Sequence, residues 1–158
     1  MSEPDSKSSG QASGAEGTET FSHVQTVLSN YLTSSPVYKL LLSTLMLVSA
    51  SADKVTLRLV VLPVHVNSKA VLHGSISSTL VDLVGGLVIA STGSKTGLST
   101  DIHVSFVGSA GEGDTLLIQG FVERVGGTLA FTRVRIEKEL TDGRTLLVAT
   151  GSHTKYVR

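Results

Sequence analysis

HGSISSTLVDLVGGLVIA, residues 73–90, decides the fold. Ile76, Leu80, Leu83, Val84, Leu87 and Val88 recur at helical spacing, which predicts a buried helix. Asp82 is the anomaly in it. Between Leu80, Val81, Leu83 and Val84 it has poor helix propensity, and burial would cost it desolvation. Such an Asp is either solvated, structurally hydrogen-bonded, or functional. Gly74 opens the helix. A glycine there lets a ligand oxygen approach first-turn N–H groups that lack intrahelical partners and carry the positive end of the dipole. The plainer reading is that Gly74 only permits the turn, with Ser75 or Ser77 as the cap.

On either side of this helix the pattern changes to strands. Residues 43–66 hold two apolar runs around Ala52-Asp53-Lys54, and Val55, Leu57, Leu59 and Val61 alternate, which reads as two strands joined by a turn. After the helix come four strand-like stretches, 98–107, 114–125, 128–140 and 145–157. They are separated by Gly111-Glu112-Gly113-Asp114, Gly126-Gly127 and Thr141-Asp142-Gly143, and the Gly-Gly and Asp-Gly pairs are strong hairpin signals. Further upstream, Phe21, Val24, Val27, Leu28, Tyr31 and Leu32 fall at helical spacing, with Pro36 closing the segment. The order is helix, two strands, central helix, four antiparallel strands, an α+β arrangement.

Residues 1–20 are mostly Ser, Gly, Glu and Ala with no large aliphatic residue after Met1, and read as a disordered tail ahead of one domain at 21–158. The tail has four acids and one Lys and lacks an apolar run, which fits neither a secretory nor a mitochondrial leader. A cytoplasmic location is the default, with a mitochondrial one left open. The whole chain balances 13 basic against 13 acidic residues, which excludes a strongly basic nucleic-acid binder; without the tail the remainder is net +3, which suits an anionic ligand. The longest charge-free apolar-leaning stretch, Leu40–Ala52, is too short for a membrane span, which needs about 18 residues. With no Cys, disulfides, thiolate metal sites and cysteine nucleophiles are excluded.

Three more residues flank the helix: Asn67 just past a strand, His73 before Gly74, and Ser99 at the start of the next strand. Alone, each has an ordinary reading as turn former, cap or local hydroxyl. Their order is distinctive. Asn67, His73-Gly74-Ser75, Asp82, Gly97-Leu98-Ser99-Thr100-Asp101-Ile102, Gly126-Gly127-Thr128-Leu129-Ala130-Phe131-Thr132 and Gly151-Ser152-His153-Thr154-Lys155 follow one another along residues 36–158. This arrangement resembles the hotdog-fold acyl-CoA thioesterases of the phenylacetate-degradation type, especially the branch like thioesterase superfamily member 2.

The resemblance implies a curved antiparallel sheet wrapped around a long central helix, assembled as a homodimer and often a homotetramer. It implies hydrolysis of an acyl-CoA, with CoA as part of substrate and product and with no separate cofactor or metal. Asp82 would be nucleophile or general base, the Gly74 N–H would polarise the thioester carbonyl, and Asn67 would place substrate and water. Ser99 would support the Asp or the water, and His73 would shape the start of the helix. The segment Arg124, Val125, Gly126, Gly127, Thr128 and Leu129 matches pantetheine and nucleotide contacts, with Asp101, Phe106 and Tyr156 carried over beside it. Arg124, Lys155 and Arg158 are placed to meet CoA phosphates, or are ordinary solvated strand-end charges.

One inference is independent of the resemblance. Gly74 and Asp82 are eight residues apart, about 12 Å along a helix axis, too far for both to reach one carbonyl. If they cooperate, Gly74 of one subunit meets Asp82 of another across a two-fold axis. Two departures stand out: the usual His-Gly-Gly is His73-Gly74-Ser75, and the Asp82–Ser99 separation is one residue short. Two other classes stay open: a non-catalytic acyl-CoA sensor or scaffold on the same fold, to which Ser75 lends weight, and a hydratase or dehydratase of acyl thioesters. Leu83, Leu87 and the Leu40–Leu47 segment would line an acyl tunnel or simply fill the core.

Overall fold

The computed structural model describes residues 10–158, with side chains from Gly17 onward. Helix α1 (Gly10–Ser34) is followed by a short α2 (Pro36–Leu41), the hairpin β1 (Met46–Ser51) and β2 (Lys54–Val60), and a 3-10 turn at Pro63–His65. The central helix α3 (Gly74–Ala90) leads into β3 (Leu98–Phe106), β4 (Thr115–Val125), β5 (Leu129–Glu139) and β6 (Thr145–Tyr156). The six strands form one antiparallel sheet in the order β1-β2-β4-β5-β6-β3. β3 is therefore an edge strand, paired among the described residues with β6 alone, the last of the six strands in chain order.

α3 lies across the sheet and packs on every strand from β2 to β6. Leu80, Leu83, Leu87 and Ile76 are among the largest fully buried side chains, and they meet Leu57, Leu59, Leu116, Ile118 and Ile136 from the sheet. Each such Leu or Ile contributes about 1.5–3 kcal/mol on leaving water. Close approach of helix to sheet depends on glycine at two facing positions. A Cβ on Gly120 would fall 2.7 Å from Val84, and one on Gly151 would fall 2.6 Å from Val81. The expected architecture, a curved antiparallel sheet around a long helix, is what forms.

Two upstream readings need correction. The segment taken as a tail ending at residue 20 overlaps α1, which begins at Gly10; residues 1–9 of that tail lie outside the described residues. Ala12, Ala15, Glu16 and Glu19 are good helix formers, so the backbone continues as helix ahead of the apolar face that starts at Phe21. Pro36 ends α1 as expected, but it also starts α2 at its first turn. There the missing N–H costs nothing, and Ser35 caps the helix by accepting from the Tyr38 N–H. No described helix is long and apolar enough to cross a membrane.

Candidate active site

At its first turn α3 is capped by His73, not by Ser75 or Ser77. His73 Nδ1 accepts from the Ser75 N–H at 3.1 Å and from the Ser75 hydroxyl at 2.8 Å. The Ser75 hydroxyl is thereby engaged with the cap, and the Ser75 N–H is used. The Gly74 N–H keeps its place among the first-turn donors without an intrahelical acceptor. Phe106 at the end of β3 packs on Gly74 so closely that a Cβ there would lie 3.1 Å from its ring, a reason for glycine that has nothing to do with a turn. Asn67 sits in the turn before α3. Its Oδ1 accepts from the Lys69 N–H at 2.8 Å and the Val71 N–H at 3.4 Å, while its amide nitrogen takes no part in that turn.

Asp82 lies two turns further along and opens on a depression of about 260 Å³, with a carboxylate only 34% exposed. Both carboxylate oxygens accept hydrogen bonds. Tyr38 Oη donates to Oδ2 at 2.6 Å and Ser99 Oγ donates to Oδ1 at 3.3 Å. The Ser99 hydroxyl, having given its one proton to Asp82, accepts from His153 Nε2 at 2.9 Å and from Lys155 Nζ at 3.3 Å. Assigned from this network, His153 carries its proton on Nε2. Burial, and then the Lys155 ammonium, push His153 below its ordinary value even though Asp82 pulls the other way, so it is neutral at neutral pH. His153 Nδ1 lies against α3, and among the described residues the groups it faces are the backbone of Val81 and Asp82, neither of them close enough or aligned for a full hydrogen bond. Burial lowers Lys155, with Asp82 opposing.

Asp82 and Ser99 are thus brought together, at the β-bulge between Ser99 and Asp101 that turns the start of β3 toward the helix. Asn67, His73 and Gly74 gather at the other end of the α3 segment, with Phe106 beside them. Arg124–Leu129 forms the β4–β5 turn, and its Thr128 carbonyl accepts from the Val157 N–H. Tyr156 is the register partner of both Leu98 and Leu129, and so borders the turn and the start of β3. Asp101 is exposed and accepts from Thr100 and Thr154. Lys155 is not a solvated strand-end charge: it is 8% exposed and turned in toward Ser99.

Sequence reasoning missed Tyr38 and His153 as members of the cluster. His153 had a usable signal, because alternate residues of β6 (Ala149, Gly151, His153 and Lys155) face inward. Tyr38 had none, since its contact spans 44 residues and depends on a helix too short to show a period.

Comparison with known proteins identifies the fold and the family. The family model for the Thioesterase superfamily matches residues 69–143. Human acyl-coenzyme A thioesterase 13 is 32% identical over 127 residues, covering 80% of this chain and 89% of that protein. The crystal structure of zebra fish thioesterase superfamily member 2 superposes with a TM-score of 0.75 at 31% identity, covering 85% of this chain and 98% of that one. A Streptococcus mutans structure bound to acetyl CoA matches with a TM-score of 0.65 at 27% identity, over 72% of this chain and 88% of that one. The chain belongs to the thioesterase superfamily and has the hotdog fold of its structural neighbours.

Proposed function

We propose that this protein hydrolyses acyl-CoA thioesters to a carboxylic acid and free CoA, at a site shared between two copies of the chain. Asp82 carries the reading: a half-buried carboxylate on an apolar helix, oriented by hydrogen bonds and open to a depression. As general base it takes a proton from water while the water oxygen bonds to the thioester carbon; the C–S bond then breaks and the CoA sulfur leaves with a proton. As nucleophile its carboxylate oxygen bonds to the thioester carbon and the C–S bond breaks, releasing CoA as the thiolate and leaving an acyl-Asp anhydride, which water then cleaves to the free acid and regenerated Asp82. In both routes the developing oxyanion needs a donor, and the Gly74 N–H is suited to the task.

The donor has to come from a second copy, because eight residues of helix separate Gly74 from Asp82 by about 12 Å. Edge strand β3 supports such a pairing. Leu98 is 75% exposed, Phe106 62% and Ile102 39%, a run of apolar side chains on an edge with unpaired backbone groups. A second β3 laid antiparallel against it would cover these side chains and carry Phe106 and Gly74 toward the partner's Asp82. Arg124, which is exposed, and the turn through Leu129 are the candidate contacts for the nucleotide end of CoA.

Thiol release from a panel of acyl-CoAs, compared between the wild-type protein and Asp82→Asn, tests the reading. The substitution should reduce kcat about 10²–10⁴-fold, the range of a lost general base. A wild-type protein that binds acyl-CoA but releases no thiol would refute hydrolysis.

A further inference from the structure

Tyr38 approaches Asp82 from an element outside the segment that the family model matches, which begins at residue 69. Its placement is built locally. Ser35 caps α2 through the Tyr38 N–H, Pro36 occupies the first turn, and the Tyr38 ring tilts against Tyr31 of α1 with centroids 6.1 Å apart. Oη then lies 2.6 Å from Asp82 Oδ2, within the range of a charge-assisted O–H···O⁻ bond. Burial, then the hydrogen bond and charge of Asp82, push the phenol far above its ordinary value, so Tyr38 remains a donor wherever the protein is folded.

We propose that Tyr38 is a positioning residue for the thioester hydrolysis assigned above: it holds Oδ2 while Ser99 holds Oδ1, fixing the plane of the carboxylate. The inference rests on that functional reading. Asp82 is faced by Tyr38 from α2, Tyr31 from α1, Ser99 from β3, and His153 and Lys155 from β6. Neutral His153 brings no charge, and Lys155 acts through Ser99 and at longer range. Tyr38 is therefore the one direct hydrogen bond to Oδ2 among the described side chains, and its loss has no substitute in place.

Tyr38→Phe removes a single hydroxyl and keeps the ring against Tyr31. In thiol release, kcat should fall about tenfold, as for one hydrogen bond to a charged group, with KM changed by no more than about twofold. A kcat within about twofold of wild type would overturn the proposal. The same variant, ¹³C-labelled at aspartate, is followed by NMR beside wild type. The Asp82 carboxyl-carbon resonance should move at neutral pH when the Oη hydrogen bond is lost in Tyr38→Phe, and coincident resonances would overturn the proposal whether or not the protein proves to be a thioesterase. Absence of thiol release from wild type would refute the functional reading alone, leaving the resonance to judge Tyr38.

Discussion

Adjacent glycines in α3 should respond to alanine in opposite directions. A Cβ on Gly85 falls 2.5 Å from His153 Nδ1, 3.0 Å from His153 Cβ and 3.0 Å from Thr132 Oγ1. The first distance is shorter than real Cβ contacts allow, and neither neighbour is a free-swinging tip: Thr132 donates to the His153 carbonyl, and His153 Nε2 holds Ser99. Overpacking of this kind costs about 1–3 kcal/mol, against a gain of about 1 kcal/mol from replacing a mid-helix glycine. Gly85→Ala should therefore lose up to about 2 kcal/mol. On Gly86 the nearest atom is the Tyr31 hydroxyl at 3.3 Å, at the end of a side chain able to yield. Gly86→Ala should keep most of its helix gain and be neutral to about 1 kcal/mol more stable.

Urea unfolding followed by circular dichroism, at one fixed protein concentration, measures both variants. A difference of 1 kcal/mol corresponds to about 2–4 °C in Tm for a chain of this length. Gly85→Ala should also lower the thiol-release rate, since displacing His153 disturbs the Ser99–Asp82 pair. A Gly85→Ala protein as stable as Gly86→Ala would refute the argument that the helix is pressed against His153.

Two other outcomes follow from the same structure. His65 is fully buried, accepts from the Leu62 N–H at 3.0 Å and donates to the Leu41 carbonyl at 2.6 Å, and burial holds it below its ordinary value of 6.5 despite the Leu41 bond. The unfolded chain takes up this proton more readily than the folded one, so stability is full above about pH 6.5 and declines as pH falls below it; His153 adds to the slope in the same direction. Tm measured against pH should be flatter on the acid side in His65→Gln, which should also be less stable at neutral pH. Ile102→Asp puts a charge in the apolar run of β3, and light scattering should find a monomer with little thioesterase activity. A dimer of full activity would place the interface elsewhere.

Legibility from sequence tracks how local each signal is. α3 shows because six apolar positions repeat at one period, and the hairpins show because Gly-Gly and Asp-Gly favour tight turns. α2 does not show: six residues give less than two turns of pattern, and Lys39-Leu40-Leu41 reads equally well as the approach to a strand. The start of α1 is hidden for a related reason, since helix formers without an apolar face look like a tail. In the site, Asp82 stands out because a charge interrupts an apolar helix, and Ser99 comes with the family pattern. Tyr38 and the inward turn of Lys155 arise from packing between elements far apart in the chain, and no short window of sequence contains them.

The position of β3 also bears on how the chain is made. β3 emerges before β4, β5 and β6, yet among the described residues its one hydrogen-bonding neighbour strand is β6, which ends at Tyr156 some fifty residues after Phe106. At a synthesis rate of about 5–20 residues per second, Leu98, Ile102 and Phe106 wait roughly 3–10 s on the ribosome before a partner strand exists. Ser99 waits with them for His153 and Lys155. A nascent chain interrupted after β3 but before β6 consequently carries a sticky, unanchored strand and an Asp82–Ser99 pair without its β6 partners, so incomplete products would reveal themselves to chaperones and proteases.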